Sequence, residues 1–297
     1  MEITGYKLKI VVTGSDGLLG RTFQEQLSMN GNCTTAIMHK AELDITNKVS
    51  IRTALAKARP DWLVNCAAFT NVDNAELNPT IAFDVNSNAM RNIAEVVTEL
   101  NIRVLHFSTD YVFDGLSSDP YVEKSETNPL NQYGLSKLEG EKNLLAAMPE
   151  NALVIRTAWL YGSLKSGFLS QVINRVQSGE KHIQLVNDQL GQLTLASDVV
   201  QASIKILDEY KTFSSKIFHI TNQGFGSWQE IGELINHTLD GRSQIDGISH
   251  KELNRPALRP NFSALDSSQF SEEFGPMRDW TDALEEYLSN YKKTKVT

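Results

Sequence analysis

Cysteine is nearly missing from this sequence: Cys33 and Cys66 are the whole supply, each in or beside an apolar run and neither in a metal-ligand spacing. A disulfide framework is thereby excluded, and a reducing compartment is expected. Six scattered histidines form no cluster, so no metal site is expected. Positive charge is the minority sign, with 28 Lys and Arg against 36 Asp and Glu for a net -8, and no dense basic block interrupts the chain. That balance argues against nucleic acid as a partner. No run approaches the roughly 20 apolar residues that span a bilayer. The opening MEITGYKLKIVVTG also lacks a basic region followed by a long apolar stretch. No membrane partner is expected, and a cytoplasmic location is.

What is present is ample material for a core: 297 residues, 41% of them hydrophobic, suffice for one large core or one core with a smaller companion. Apolar runs at 8–14, 34–39, 61–68, 103–109 and 152–162 read as strands. Between them lie helical stretches at 19–29, 46–58, 79–100 and 131–148. Strands apolar on both faces, alternating with helices, predict an α/β fold with a doubly wound parallel sheet of Rossmann type. After residue 163 the rhythm changes. Helices are expected at 167–179, 197–210 and 227–239, the last opened by the capping-box pair Ser227 and Glu230. Strands are expected at 183–188 and 216–222, a loop-rich stretch over 240–275, and a final helix from Trp280 to Tyr291. The division that follows is a nucleotide-binding domain over 1–163, with 195–222 returning to it. A smaller C-terminal α/β substrate domain takes 164–194 and 223–297.

The segment VVTGSDGLLG puts Gly14, Gly17 and Gly20 directly after the first strand and at the start of its helix. Glycine lets the backbone turn tightly and approach a pyrophosphate, which then sits on free N–H groups at the helix start. The turn, including Asp16, Leu18 and Leu19, is therefore a candidate dinucleotide site. Selectivity is read at the end of the second strand. An acidic residue there suits the ribose diol of NAD, whereas this strand ends in His39 and Lys40, and a cation tolerates a 2′-phosphate. NADPH is the expected cofactor, with NADH also accepted. Asp44 and Ile45 follow, in the loop that meets the adenine.

Two further motifs supply chemistry. NQYGLSK carries Tyr133 and Lys137, one helical turn apart on one face. Tyrosine ordinarily titrates near pH 10, and lowering that by roughly 3 units takes about 4 kcal/mol of differential stabilisation, which a fixed ammonium can provide. FSTDYVFDG places Thr109 at the end of a strand, where its hydroxyl can bond the substrate oxygen that Tyr133 protonates while a nicotinamide delivers hydride.

In order along the chain, GSDGLLG, ELDITN, RPDWLVNCAAFTNVDNAE, STDYVFDG, NPLNQYGLSKLEGE, RTAWLYG and NDQLGQLT resemble the successive motifs of the dTDP-4-dehydrorhamnose reductases, a family of extended short-chain dehydrogenase/reductases. The resemblance runs from about residue 8 to 195 and resumes near RPALRPNFSALD and RDWTDALEEYL. It implies NAD(P)H-dependent reduction of the 4-keto group of dTDP-4-dehydro-L-rhamnose to dTDP-L-rhamnose for polysaccharide synthesis. Carried over by position, it assigns Thr109, Tyr133 and Lys137 to catalysis, with Tyr133 and Lys137 also touching the cofactor. Ala67, Ala68 and Phe69 go against the cofactor, Thr70, Val72, Tyr111 and Trp159 near the sugar, and Arg255 among the substrate contacts. The extra Arg-Pro in RPALRPNFSALD leaves the contacts of Arg255, Arg259 and Ser263 open. A homodimer also stays open, since some members bind magnesium through acidic residues at a dimer contact and no such cluster can be located here. Sugar-nucleotide 4,6-dehydratases share the glycine turn and the Tyr-Lys pair. They typically follow the threonine with Asp and Glu for acid and base, whereas this chain has Asp110 and Tyr111. Two alternatives remain: a reductase of another nucleotide-linked 4-keto-6-deoxy sugar, or a non-catalytic NADP-binding subunit like the methionine adenosyltransferase β subunit.

Overall fold

Side-chain alternation along each strand decides which face of the sheet it feeds. A computed structural model of the chain describes residues 7–31, 33–162, 167–209 and 215–296. The central sheet holds β1 (Leu8–Thr13), β2 (Cys33–Ile37), β3 (Trp62–Asn65), β4 (Arg103–Thr109), β5 (Ala152–Thr157) and, at the edge beside β5, Ile217–His219. Its order is β2-β1-β3-β4-β5 and then that edge strand, every pair parallel. Ile10, Val12, Val64, Leu105, Phe107 and Ile155 feed one core, shared with helices α1 (Leu18–Met29) and Ala196–Glu209. The alternate residues Val11, Leu63, Val104, Ala152 and Val154 feed the other. That second core is covered by α2 (Lys48–Ala58), Ala89–Leu100 and Gln132–Ala147. Burial on both faces is why these strands carry unbroken apolar runs. The chain leaves β1 to one side to make β2 and returns to the other side to make β3, so the crevice above β1 and β3 is the topological switch point of the sheet.

The differences from expectation sit near that crevice. A short helix, α3 (Val72–Leu77), precedes the anticipated long one, which is divided: α4 (Pro79–Phe83) and α5 (Ala89–Leu100) flank a π-helical turn at Asp84–Asn88. Helix α6 (Gln132–Ala147) packs on that turn so closely that a Cβ on Gly140 would lie 2.1 Å from the Asn86 carbonyl oxygen. The fifth strand stops at Thr157, because Trp159 turns the chain with φ 38 before the short strand Leu160–Tyr161.

Beyond the sheet, Tyr161, Leu169, Ile183, Ile231, Trp280 and Leu288 build a separate core. The Ser227–Glu230 capping box forms as expected. The stretch from 240 to 275 holds more than loop: Gln244–Ile248 pairs in parallel with His182–Val186, and Ser268–Phe274 is helical. The expected boundary at 163/164 lies outside the described residues. Among the described residues no helix is long and apolar enough to cross a membrane.

Candidate active site

Gly14 ends β1 at φ +69, and a Cβ there would lie 2.5 Å from the Ala67 nitrogen, so only glycine lets this turn lie against the chain leaving β3. Gly17 is the N-cap of α1 without a side-chain cap bond, which leaves the first-turn N–H groups available to an anion. A Cβ on Gly20 would meet the Gly14 carbonyl oxygen at 2.3 Å, so Gly20 sets how closely the helix follows the turn. Above the turn opens a cavity of about 280 Å³. Its wall includes Gly14, Asp16, Gly17, Lys40, Asp44, Ile45, Ala67, Ala68 and Phe69, joined by Leu43, Thr46, Cys66 and Val85. Of the residues expected at the cofactor turn, Leu18, Leu19 and Gly20 are off this wall: Leu19 is buried in the sheet core and Leu18 packs against it.

The wall has a polar end. His39 Nδ1 lies 2.8 Å from Ser15 Oγ and 3.1 Å from Asp16 Oδ1, and Lys40 is exposed beside it. Partial burial pushes the Asp44 carboxyl up, but hydrogen bonds from Thr46 and the charge of Lys40 hold it below its ordinary value. A dinucleotide fits these residues: a glycine cradle that any Cβ would fill, uncapped N–H groups, and a cation at the end of β2.

The reacting groups converge at the C-terminal end of β4. Thr109 Oγ1 donates to Asp110 Oδ1 at 2.9 Å and accepts from the Tyr111 N–H at 3.2 Å, which fixes its rotamer. Helix α6 reaches this turn because a Cβ on Gly134 would lie 2.1 Å from the Tyr111 carbonyl oxygen. Asn131 caps α6 by accepting from the Gly134 N–H at 2.8 Å. The rings of Tyr111 and Tyr133 meet edge to face with centroids 6.0 Å apart. Burial pushes the Tyr133 phenol up to about 12, against the lowering effect of its hydrogen bond with Thr109. Lys137 is fully buried; its Nζ donates to the Phe107 carbonyl oxygen at 2.5 Å, and burial pulls it down to about 8. The expected acidification of the phenol by the ammonium is thus not seen: desolvation dominates both groups. A neutral phenol is the form that can give up a proton. Burial likewise raises Asp110 to about 6, against the lowering effect of its hydrogen bonds with Ser263 and Thr109.

Beyond the phenol lies an aromatic cavity of about 290 Å³, lined by Tyr111, Trp159, Trp228, Gln184, Gln189, Arg175, Arg255 and Arg259 among others. Trp159 and Trp228 stack with centroids 4.2 Å apart, and a Cβ on Gly191 would collide with the Trp159 ring at 2.4 Å. Thr70 is exposed and Val72 half-buried, and neither is on this wall. Arg259 is bidentate to Asp73 of α3, at 3.0 and 2.8 Å, whereas Arg255 forms no ion pair among the described residues. Asp73 also accepts from the Ala257 N–H at 3.2 Å, and Asn131 donates to the Leu258 carbonyl oxygen at 2.7 Å. Ser263 is buried, at 1% exposure.

Sequence reasoning missed Gly134, Asn86, Trp228, Gln189 and the Asp73–Arg259 pair. Asn86 projects from the π turn to bond Phe69 through both its N–H and its carbonyl oxygen, which positions the loop after β3. The glycine following Tyr133 was the one readable signal; the others depend on contacts across long sequence separations.

A parallel sheet with a glycine turn at its switch point, and a Thr-Tyr-Lys set gathered beside it, define an extended short-chain dehydrogenase/reductase. The profile of the RmlD substrate binding domain family matches residues 8–293, and the chain belongs to that family. It is 35% identical over 280 residues to a dTDP-4-dehydrorhamnose reductase of Streptomyces griseus, covering 93% of this chain and 91% of that protein. It is 33% identical over 276 residues to a dTDP-4-keto-6-deoxy-D-glucose reductase of Streptomyces niveus, covering 92% and 94%. The crystal structure of dTDP-4-dehydrorhamnose reductase from Bacillus anthracis in complex with NADP superposes with a TM-score of 0.90 at 28% identity, over 96% of this chain and all of that one.

Proposed function

We propose that this chain reduces the 4-keto group of dTDP-4-dehydro-L-rhamnose to dTDP-L-rhamnose with NADPH, for polysaccharide synthesis. The observation that carries the reading is that Tyr133, bonded to Thr109 and edge-on to Tyr111 of the aromatic cavity, shares its helix with buried Lys137, which acts electrostatically on Cys66 of the glycine-turn cavity. The names of the relatives from Streptomyces griseus and Bacillus anthracis support the substrate, and the NADP in the latter supports the cofactor.

The chain's residues divide the work. Gly14 and Gly17 open room for the pyrophosphate, while Lys40 offers charge to the 2′-phosphate and Asp44, Ile45 and Ala67 to Phe69 line the adenosine and ribose path. When bound, NADPH supplies the hydride that reaches C4. Tyr133 gives its phenolic proton to O4 as that oxygen takes on negative charge, so the carbonyl gains one hydride and one proton and becomes an alcohol. Thr109 fixes the direction in which the phenol points, and Lys137 keeps a positive charge near the phenolate left behind. Tyr111, Trp159 and Trp228 exclude water from the sugar, with Arg255 reaching toward the diphosphate.

Residues 164–194 and 223–297 form, in this reading, a substrate-binding unit on a nucleotide-binding one. A cytoplasmic location suits two free cysteines and a diffusible nucleotide-sugar substrate. The Streptomyces niveus relative favours one second reading, reduction of a different dTDP-4-keto-6-deoxy sugar. Purified protein given NADPH and each 4-keto sugar nucleotide decides: loss of NADPH absorbance with dTDP-L-rhamnose identified by NMR is expected. Tight NADPH binding without turnover of either sugar would instead indicate a regulatory subunit.

A further inference from the structure

The last row of the sheet beneath the active site is polar where the rows before it are aliphatic. Val11, Leu63 and Val104 belong to the core covered by α5 and α6. Two residues on, on the same face, Thr13, Asn65 and His106 stand side by side in register across β1, β3 and β4. They are 1%, 1% and 0% exposed, and none lines either cavity. Polar groups so placed destabilise unless they are bonded. They bond in series: Thr13 Oγ1 lies 2.6 Å from Asn65 Oδ1, the Asn65 amide nitrogen 3.0 Å from His106 Nδ1, and His106 Nε2 3.3 Å from Lys137 Nζ.

Two proton arrangements satisfy this series. In the first, Thr13 donates to Asn65 Oδ1, the Asn65 amide donates to His106 Nδ1, and the His106 Nε2–H faces Lys137, which can accept it only as a neutral amine. In the second, the Asn65 amide is turned over: its NH₂ donates to Thr13 Oγ1, His106 Nδ1–H donates to its oxygen, and Nε2 accepts from the lysine ammonium. The two states differ by one proton, carried on Lys137. We propose that Asn65 and His106 are positioning residues whose shared hydrogen bond selects the charge of Lys137. The inference rests on the reading of Lys137 as the partner of Tyr133 in carbonyl reduction.

Other ionisable groups face Lys137 from the elements packed around it. Glu141, one turn along α6, raises it by its charge while being bound by two nitrogens of Arg156 from β5. The Cys66 thiol, on the chain leaving β3, is held protonated by burial, as is the Tyr133 phenol on α6. His106 itself is kept uncharged by burial and by the lysine, so it acts through its tautomer and not through a charge of its own.

The test follows Lys137 by NMR in protein labelled at lysine ¹³Cε, the signal being identified by its loss in Lys137→Met. In Asn65→Asp the ionised carboxylate can only accept from His106 Nδ1–H, so above its own midpoint it locks the second arrangement and is expected to raise the Lys137 midpoint by about one pH unit. His106→Leu removes the acceptor and is expected to lower it by about as much; His106→Phe, which keeps the bulk of a ring, serves should the leucine variant not fold. The high-pH limb of kcat should move with each midpoint. A purely structural role would weaken both variants without opposite shifts. Midpoints that stay put, or move in the same direction, overturn the proposal. A wild-type protein inactive on the sugar nucleotide would count against the reductase reading alone, since the NMR midpoints still decide this one.

Discussion

At the scale of single residues, the site depends on a phenol kept in its uncharged form by burial. Tyr133 is pushed to about 12 mainly by burial, so it remains a proton donor throughout the neutral range. Tyr133→Phe removes the phenol bonded to Thr109 and is expected to lower kcat by about 10²–10⁴-fold, the usual range for a positioned acid. NADPH affinity, followed by fluorescence titration, should change little. Asp110 offers a stability test. Its carboxyl is raised from 3.8 to about 6 by burial, so the folded state binds more protons than the unfolded one between these values. Stability is therefore present at low pH and lost as pH rises through that window. Asp110→Asn should relieve the loss: at pH 7.5 the variant is expected to be more stable than wild type in urea by about 1–3 kcal/mol, with the gain vanishing near pH 4.

At the scale of elements, the turn after β1 and the start of α6 are placed by close approach. Gly14→Ala adds a Cβ 2.5 Å from the backbone nitrogen of Ala67, on a residue already at φ +69. A stability loss of about 2–4 kcal/mol is expected from strain and clash together. Calorimetry should also find NADPH bound at least about tenfold more weakly, because the pyrophosphate cradle narrows. Elements of this kind were legible in the sequence where the period was local. The strands β1 to β5 and helices α1, α2 and α6 follow from apolar runs punctuated by glycine and proline, and Gly14, Gly17, Tyr133 and Lys137 lie on them. What stayed hidden was non-local. Gln244–Ile248 is a strand only because His182–Val186 lies beside it; its own residues, with Asp246 and Gly247 inside, carry little strand preference. The π turn at Asp84–Asn88 leaves the hydrophobic period of its helix nearly intact, so nothing marked Asn86 as the residue that holds Phe69.

At the scale of the whole molecule, the loop carrying Arg255 and Arg259 is tied to the sheet side by charge. The Arg259 guanidinium bonded to Asp73 holds its carboxyl below the usual carboxylate range. That stabilisation is present above the unfolded carboxylate's pKa and is lost only as pH falls through the lowered value. Asp73→Asn is expected to raise KM for the sugar nucleotide about tenfold through a loosened wall, with NADPH affinity unchanged. Because the pair is part-exposed, urea unfolding should register a loss of only about 0.5–1 kcal/mol.

The strand Ile217–His219 has a consequence for how the protein is made. It reaches its place beside β5 only after the polypeptide has passed through the part of the aromatic cavity's wall that runs from Trp159 to Gln189. On the ribosome, the five earlier strands therefore wait with β5 as a bare margin, its N–H and C=O groups unmatched until some sixty more residues have been threaded out, a delay of several seconds at ordinary elongation speeds. A nascent chain halted in that interval should be captured by chaperones or self-associate. Emergence of residue 219 from the ribosome should abolish both, which stalled nascent chains of graded length would reveal.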